Sequence, residues 1–119
     1  MSSKATKPPW VVTPEKVEAA IRKIIEVSRP VKVILFGSYV RGATGRNSDL
    51  DILVVTADTV QSPRAESVRI RRALREISMP MDILVVPHSQ WEELKEAPGL
   101  IYREAWSTGK VVYESPQAA

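Results

Sequence analysis

Residues 31–55, VKVILFGSYVRGATGRNSDLDILVV, place two short apolar runs on either side of a segment rich in glycine and polar residues. The first run, Val31–Phe36, is mostly β-branched and ends at Gly37, which is typical of a strand. The second, Asp49–Val55, opens on two aspartates and continues as a second apolar strand. Between them, 38–42 has room for only one or two helical turns before a loop. The stretch therefore predicts a strand, a tight turn, a loop and another strand.

Helix start and stop signals predict the elements on both sides of this stretch. Thr13 as N-cap and Pro14 in the first turn predict a helix over 14–28, which Pro30 ends. The remaining predictions are a helix from Ser62 to before Pro80, a strand at Met81–Val86, a short helix at Ser89–Glu96 with Ser89 and Glu92 as a capping box, a helix at Leu100–Ser107 and a strand at Lys110–Tyr113.

This order of elements predicts the α+β class, in which a mixed β-sheet has helices packed on it in a two-layer α/β arrangement. A connection of about a dozen residues joins neighbouring strands in either direction. The direction of the second strand relative to the first therefore stays open.

The chain has 119 residues, which is enough for one hydrophobic core and too few for a separate substrate-recognition domain. We expect a flexible N-terminal arm at 1–12, one domain over 13–114 and a C-terminal tail at 115–119. Whatever the chain acts on must then come largely from elsewhere.

The composition excludes several classes of site. Without cysteine, the chain has no disulfide or thiolate metal site, so carboxylates or the single His88 must hold any metal. Carboxylates favour hard ions such as magnesium. The net charge of +3 is compatible with anionic partners but does not by itself argue for nucleic acid. No long apolar run predicts secretion or a membrane span, and we expect a cytoplasmic protein.

Three aspartates each stand at the start of an apolar strand, where an unpaired carboxylate is costly. Side chains two apart on a strand point to the same face, so Asp49 and Asp51 project together, roughly 6.5 to 7 Å apart. Asp82 is the second residue of the run MDILVV at 81–86, and DILVV within it repeats residues 51–55. If the two strands pair in register, Asp82 lies beside Asp51. Such a cluster can bind one or two magnesium ions together with phosphate oxygens.

The end of the first strand carries groups suited to phosphate. Gly37 lets the backbone approach a phosphate closely, and Ser38 offers a hydroxyl and an amide at the start of the following turn. Arg41 in the same turn and Arg46 in the loop add positive charge.

The segments 37–42 and 48–51 together resemble the GSxxxGxxxxxSDxD signature of the polymerase-β-like nucleotidyltransferases, and every motif position agrees in spacing. The short chain, the later Asp82 and the ending from Arg103 to Tyr113 resemble the minimal nucleotidyltransferase branch. The resemblance runs from about Pro14 to Glu114.

This resemblance implies transfer of a nucleoside monophosphate, AMP from ATP being the first expectation, to a hydroxyl acceptor, with two Mg²⁺ ions supporting the reaction. Asp49, Asp51 and Asp82 are then the catalytic, metal-binding residues, and Asp82 helps to deprotonate the acceptor. The nucleotide-binding residues implied are Gly37, Ser38, Arg41 and Ser48.

Small members of this branch are often paired with an all-helical HEPN-type toxin, which they inhibit and in some cases modify with AMP on a tyrosine. The resemblance thus implies an antitoxin whose partner supplies the acceptor. Two alternatives remain: a binding module that neutralises its partner without catalysis, and a small-molecule transferase, which would need a second domain or a dimer to enclose its substrate.

Two further groups have a structural and a functional interpretation. Five arginines make the helix over 64–75 basic; we interpret them as a solvated face, with RNA or an acidic partner as the alternative. Trp91, Ile101, Tyr102 and Trp106 have helical spacing and are expected in the core, whereas an exposed tryptophan would mark an interface.

Overall fold

The computed structural model describes residues 11–42 and 49–116. The elements in these ranges are α1 (Pro14–Ser28), β1 (Lys32–Phe36), β2 (Leu50–Thr56), α2 (Pro63–Ala73), β3 (Met81–Pro87), α3 (His88–Leu94), α4 (Ile101–Thr108) and β4 (Lys110–Glu114). Each predicted helix and strand is confirmed, with bounds that differ by a few residues. The largest difference is α2, which ends at Ala73 and continues only as turns.

The strands form one sheet in the order β3-β2-β1-β4. β1 is antiparallel to both β2 and β4, whereas β2 and β3 are parallel, so the sheet is mixed as predicted. The short connection from β1 to β2 returns the chain antiparallel, and the longer connection through α2 allows a parallel crossover. The direction that the sequence left open is thereby assigned.

The α+β class is confirmed, but helices cover both faces of the sheet, so the fold has three layers instead of the two that the order of elements predicted. Alternate residues of a strand point to opposite faces, and alternate residues of β1 accordingly enter two different cores. Val33 and Leu35 pack with α1 and α2, whereas Ile34 and Phe36 pack with α3 and α4. Because both faces are covered, β1 and β2 are apolar along almost their whole length.

The ends of α1 follow the sequence signals. The Thr13 hydroxyl accepts a hydrogen bond from the Lys16 amide at 3.2 Å, and Pro14 occupies the first turn. Arg29 takes a left-handed conformation (φ 49°), and its N–H donates to the Ile25 carbonyl. The proline that follows disfavours continuation of the helix at Arg29.

The predicted capping box of α3 is wrong. The helix begins at His88 after Pro87, which makes no side-chain cap. The Ser89 amide donates instead to Asp58 Oδ1 at 2.9 Å, from the segment after β2. Glu92 pairs with Lys95 at 2.8 Å. The Asp58 carboxylate, distant in the sequence, therefore accepts from the Ser89 amide at the start of α3, where the local pattern predicted a cap from within the helix.

Two expectations about burial are corrected. Val11 and Val12, which were expected at the end of the N-terminal arm, are buried, and Val12 belongs to the core beneath α1. Of the aromatic set, Trp91 is fully buried, but Trp106 is 46% exposed and Ile101 is also exposed. Helical spacing fixes a shared face but not how deeply that face is covered.

Among the described helices, none has the length and apolarity to cross a membrane.

Candidate functional site

The candidate site lies at one edge of the sheet, where the carboxyl end of β1 meets the amino ends of β2 and β3. Phe36 pairs with Asp51 in the antiparallel ladder, and Asp51 pairs with Asp82 in the parallel one. The register that would place Asp82 beside Asp51 is therefore present. Asp51 lies two residues before Leu53, so both side chains project toward the sheet face covered by α3 and α4. Asp82, which pairs with Asp51, projects toward the same face.

Gly37 forms the turn that follows β1 and is in close contact with this edge. Its φ of +100° belongs to a region that side chains rarely adopt. A Cβ at this position would lie 2.6 Å from Asp51 Oδ2 and 3.2 Å from the Asp49 carbonyl oxygen. The backbone at Gly37 therefore lies against the carboxylates, an approach that only glycine permits.

Ser38 and Tyr39 join this turn to the strand that carries the carboxylates. The Asp49 amide donates to Ser38 Oγ at 2.8 Å, and the Tyr39 amide donates to the Asp49 carbonyl at 2.9 Å. The Ser38 hydroxyl, expected to face phosphate, thus also holds the backbone on which Asp49 is mounted. The Ser38 hydroxyl also donates to the Asp49 carbonyl at 3.5 Å and keeps a second lone pair for a further donor.

Replacing Ser38 with alanine is expected to lower the free energy of unfolding by about 1 kcal/mol, because the Asp49 amide loses its acceptor. Nucleotide transfer should fall at least tenfold, since Asp49 loses its positioning. Ser78→Ala, the same change at an exposed position in the segment between α2 and β3, should alter neither quantity measurably. Urea unfolding and initial transfer rates measure the two effects. Equal transfer by both variants would show that Ser38 has no role at the site.

The three aspartates line one concavity of about 310 Å³ together with Leu50, Pro80 and Met81. Partial burial raises the pKa of Asp51 above its ordinary value. The carboxylates of Asp82 and Asp49 raise this pKa further, and Glu104 adds to the effect. The guanidinium of Arg41 acts in the opposite direction. Like charges held together at a half-buried position favour a cation between them.

The donor set fits a hard divalent ion, because it consists of carboxylates that repel one another in the metal-free chain. However, no three acidic or histidine side chains of the described residues are yet arranged to hold one ion. The Asp82 carboxylate instead accepts from Arg71 Nη2 at 3.3 Å. In this arrangement the third carboxylate is paired with a side chain of α2.

The remaining predicted nucleotide-binding residues have different outcomes. Arg41 lies near the site, but its Nη1 pairs with Glu104 Oε2 of α4 at 2.7 Å. Ser48 lies outside the described residues, as does Arg46. The sequence patterns did not single out Glu104 or Arg71 as parts of this site. Both side chains come from helices, and no spacing rule links them to the aspartates.

Comparison with known proteins agrees with this geometry. The family model of the nucleotidyltransferase domain matches residues 14–103. The chain belongs to the nucleotidyltransferase domain family. The match spans α1, the Gly37-Ser38 turn, all three aspartates and the first residues of α4, so the predicted family is confirmed. Members of this family act on nucleoside triphosphates with divalent metal ions.

Solved structures support the same assignment. A crystal structure of a toxin-antitoxin with AMP-PNP is 28% identical, with a TM-score of 0.50, over 84% of this chain and 75% of that one. Two variants of the toxin-antitoxin MntA-HpeT are each 26% identical, with the same TM-score and 84% of this chain covered. The matches cover 74% and 75% of those chains. No curated protein matches.

Proposed function

We propose that this nucleotidyltransferase transfers a nucleoside monophosphate, AMP from ATP in the first instance, to a hydroxyl of a partner toxin, and that it acts as the antitoxin. One observation carries the proposal: the Gly37-Ser38 turn lies against the edge of the sheet that bears Asp49, Asp51 and Asp82. A phosphate-binding turn and a metal-binding carboxylate set are thus combined on rigid strand ends.

In the proposed reaction, the acceptor oxygen forms a bond to the α-phosphorus while the bond to the bridging oxygen breaks. Pyrophosphate leaves with the electron pair of the broken bond. Asp82 accepts the proton of the attacking hydroxyl, and the backbone at Gly37 and Ser38 holds the triphosphate. Asp49 and Asp51 would hold Mg²⁺, which when bound neutralises charge on the phosphoryl oxygens.

Several features support a macromolecular acceptor. All three similar structures are toxin-antitoxins, and one of them contains AMP-PNP. One MntA-HpeT variant has a tyrosine replaced by alanine, and the other has two aspartates, two positions apart, replaced by glutamate. Asp49 and Asp51 have the same spacing. Asp49 and Asp82 are exposed at the carboxylate concavity, so a hydroxyl on a partner's surface can reach them.

A second function is favoured by a specific observation, the pairing of Asp82 with Arg71. If Asp82 stays paired, the chain would neutralise a partner by binding alone. Exposed apolar side chains on and near α4 and β4 offer contact area for such binding; they are Leu100, Ile101, Trp106 and Val111.

Co-expression with the protein encoded beside it, followed by intact mass spectrometry, separates the two functions. After incubation with ATP and Mg²⁺, the proposed activity adds one or more AMP groups to the partner. An ATP analogue with a methylene group between the α- and β-phosphorus should yield no adduct, because that bond does not break. A partner that is neutralised but never gains mass would contradict the enzymatic proposal and favour binding alone.

A further inference from the structure

The arginines of α2 and the turn after it differ in their contacts. Arg69 donates to the Val27 carbonyl at 2.7 Å and pairs with Glu66 at 3.1 Å, and Arg71 pairs with Asp82. Arg72 and Arg75 are exposed and form no ion pair with the residues that the structure describes. Of the arginines without a carboxylate partner among the described residues, Arg64 lies at the start of α2. Arg72 and Arg75 lie at its end and in the turn after it, nearest the candidate site.

Arg71 reaches around the open edge of the sheet. Ile70 and Leu74 of α2 pack on one face, whereas Asp82 projects toward the other. Arg71 Nη2 bonds both Asp82 Oδ1 at 3.3 Å and the Ile83 carbonyl at 2.9 Å. β3 is an edge strand, so outward carbonyls such as that of Ile83 have no strand partner. The guanidinium occupies this edge directly beside the carboxylate cluster.

A groove of about 210 Å³ lies between α2 and β3 at this point. Its lining consists of two arginines and an aliphatic floor: Arg71, Leu74, Arg75, Ile77, Met79, Met81 and Ile83. Met81 also lines the carboxylate concavity, so the two depressions share a wall. Arg71 lines the groove and Asp82 lines the carboxylate concavity, so their ion pair joins the two depressions at a second point.

The groove begins where an acceptor would enter. Along the edge of the sheet, β1 leads to the Gly37-Ser38 turn, β2 carries Asp49 and Asp51, and β3 carries Asp82. At about 4.8 Å per strand, β3 lies roughly 10 Å from the proposed triphosphate position, and the groove lies beyond β3, against α2. The groove therefore lies on the Asp82 side of the candidate site. In the proposed function, Asp82 accepts the proton of the attacking hydroxyl.

We propose that this groove binds an acidic segment of the partner protein, next in sequence to the acceptor hydroxyl, through Arg71 and Arg75. The inference rests on the proposed function and names the class of its substrate. Guanidinium groups bind carboxylates through paired, charge-assisted hydrogen bonds. The aliphatic floor suits the methylene groups of glutamate side chains. The lining contains no aromatic ring on which a nucleic-acid base could stack, which favours a peptide over RNA.

The same contacts link acceptor binding to Asp82. A carboxylate delivered by the partner competes with Asp82 for Arg71, because the guanidinium donates to the Asp82 carboxylate in the unbound chain. The acidic segment would then free Asp82 for the acceptor hydroxyl when the partner is in place. Asp82→Asn, which weakens the competing pair, is accordingly expected to bind an acidic peptide several-fold more tightly.

The test measures binding of fluorescein-labelled Glu-Glu-Tyr-Glu-Glu to the full chain by anisotropy at low salt, without nucleotide. Arg75→Glu is expected to weaken binding about tenfold, and Arg75→Gln by less. The matched control is Arg64→Glu, the same charge reversal about three helical turns earlier, at the start of α2, where an acidic residue suits the helix. It should change binding by less than about twofold. Melting curves verify that each variant is folded.

A peptide with glutamine in place of glutamate should bind at least tenfold more weakly than the acidic one. Equal effects of Arg75→Glu and Arg64→Glu, or equal binding of both peptides, would overturn the inference. Oligoadenylate RNA that binds more tightly than the acidic peptide, with the same dependence on Arg75, would also overturn it. Adduct formation on the partner is measured separately. If the peptide binds in an Arg75-dependent way but the partner gains no AMP, the enzymatic proposal is contradicted, whereas the assignment of the groove as an acidic-peptide site stands.

Discussion

The paired substitution Asp49→Asn and Asp51→Asn is expected to lower nucleotide transfer at least a thousandfold while it stabilises the metal-free protein. The loss follows because amides replace the charged ligands of the metal ions, whose contribution of several kcal/mol corresponds to about three orders of magnitude in rate. The gain follows because burial and neighbouring carboxylates raise the pKa of Asp51, so its charged form opposes folding at neutral pH. We expect a higher melting temperature for the metal-free double variant.

Thermal unfolding with and without Mg²⁺ distinguishes this result from simple damage. Mg²⁺ should stabilise the wild type and leave the double variant unchanged, because a ligand that binds only the folded state raises stability by mass action. The stability difference between the two metal-free proteins should shrink as pH falls through the raised pKa of Asp51, where the wild-type carboxyl becomes neutral. The control is Asp58→Asn, which removes one charge outside the site and keeps an acceptor for Ser89. Wild-type transfer by the double variant would refute the metal assignment.

The fold was predictable where local chemistry decides it. Thr13 and Pro14 marked the start of α1 because capping depends on neighbouring residues. The echo between the run after Asp51 and the run after Asp82 predicted the register of β2 and β3, since both strands are buried on the same two faces. The spacing of Gly37, Ser38, Asp49 and Asp51 located the turn and the carboxylates because each residue has a backbone or charge requirement that few other residues meet.

The remaining features depend on contacts between elements that are distant in the sequence. Arg71 reaches Asp82 only because β3 is an edge strand, a fact of the strand order. Glu104 approaches Arg41 because α4 packs beside β1. The Ser89 amide bonds to Asp58 and not within the predicted capping box, because the segment after β2 lies beside the start of α3. Such pairs have no linear signature, because long polar side chains can bridge many arrangements.

The packing of the aromatic residues shows the same limit. Trp91 is fully buried and meets Tyr102 and Trp106 edge-to-face, with ring centroids 6.4 and 6.3 Å away. Trp106 nevertheless stays half-exposed beneath the Lys95 ammonium group, 4.3 Å from its ring centroid. Helical spacing placed these rings together, but the sheet and α3 cover only the inner ones. Sequence thus identified the aromatic cluster without its boundary with solvent.

Gly37→Ala is expected to reduce transfer at least a hundredfold, for two reasons that add. A non-glycine residue at φ +100° is strained by about 1 to 3 kcal/mol. The new methyl group would also lie 2.6 Å from Asp51 Oδ2, closer than real Cβ contacts, so the turn or the carboxylate must move. Displacement of a catalytic group by about 1 Å can cost two orders of magnitude in rate.

Gly99→Ala is the matched control that separates these two causes. Gly99 has a similar φ of +82°, but a Cβ there meets nothing within 4 Å, and the residue lies between α3 and α4 rather than at the site. Both variants should lose a similar amount of stability in urea unfolding, whereas only Gly37→Ala should lose transfer and weaken Mg²⁺-dependent stabilisation. If the two variants lose transfer equally, backbone strain alone accounts for the effect. The close approach of Gly37 to Asp51 would then have no part in the chemistry.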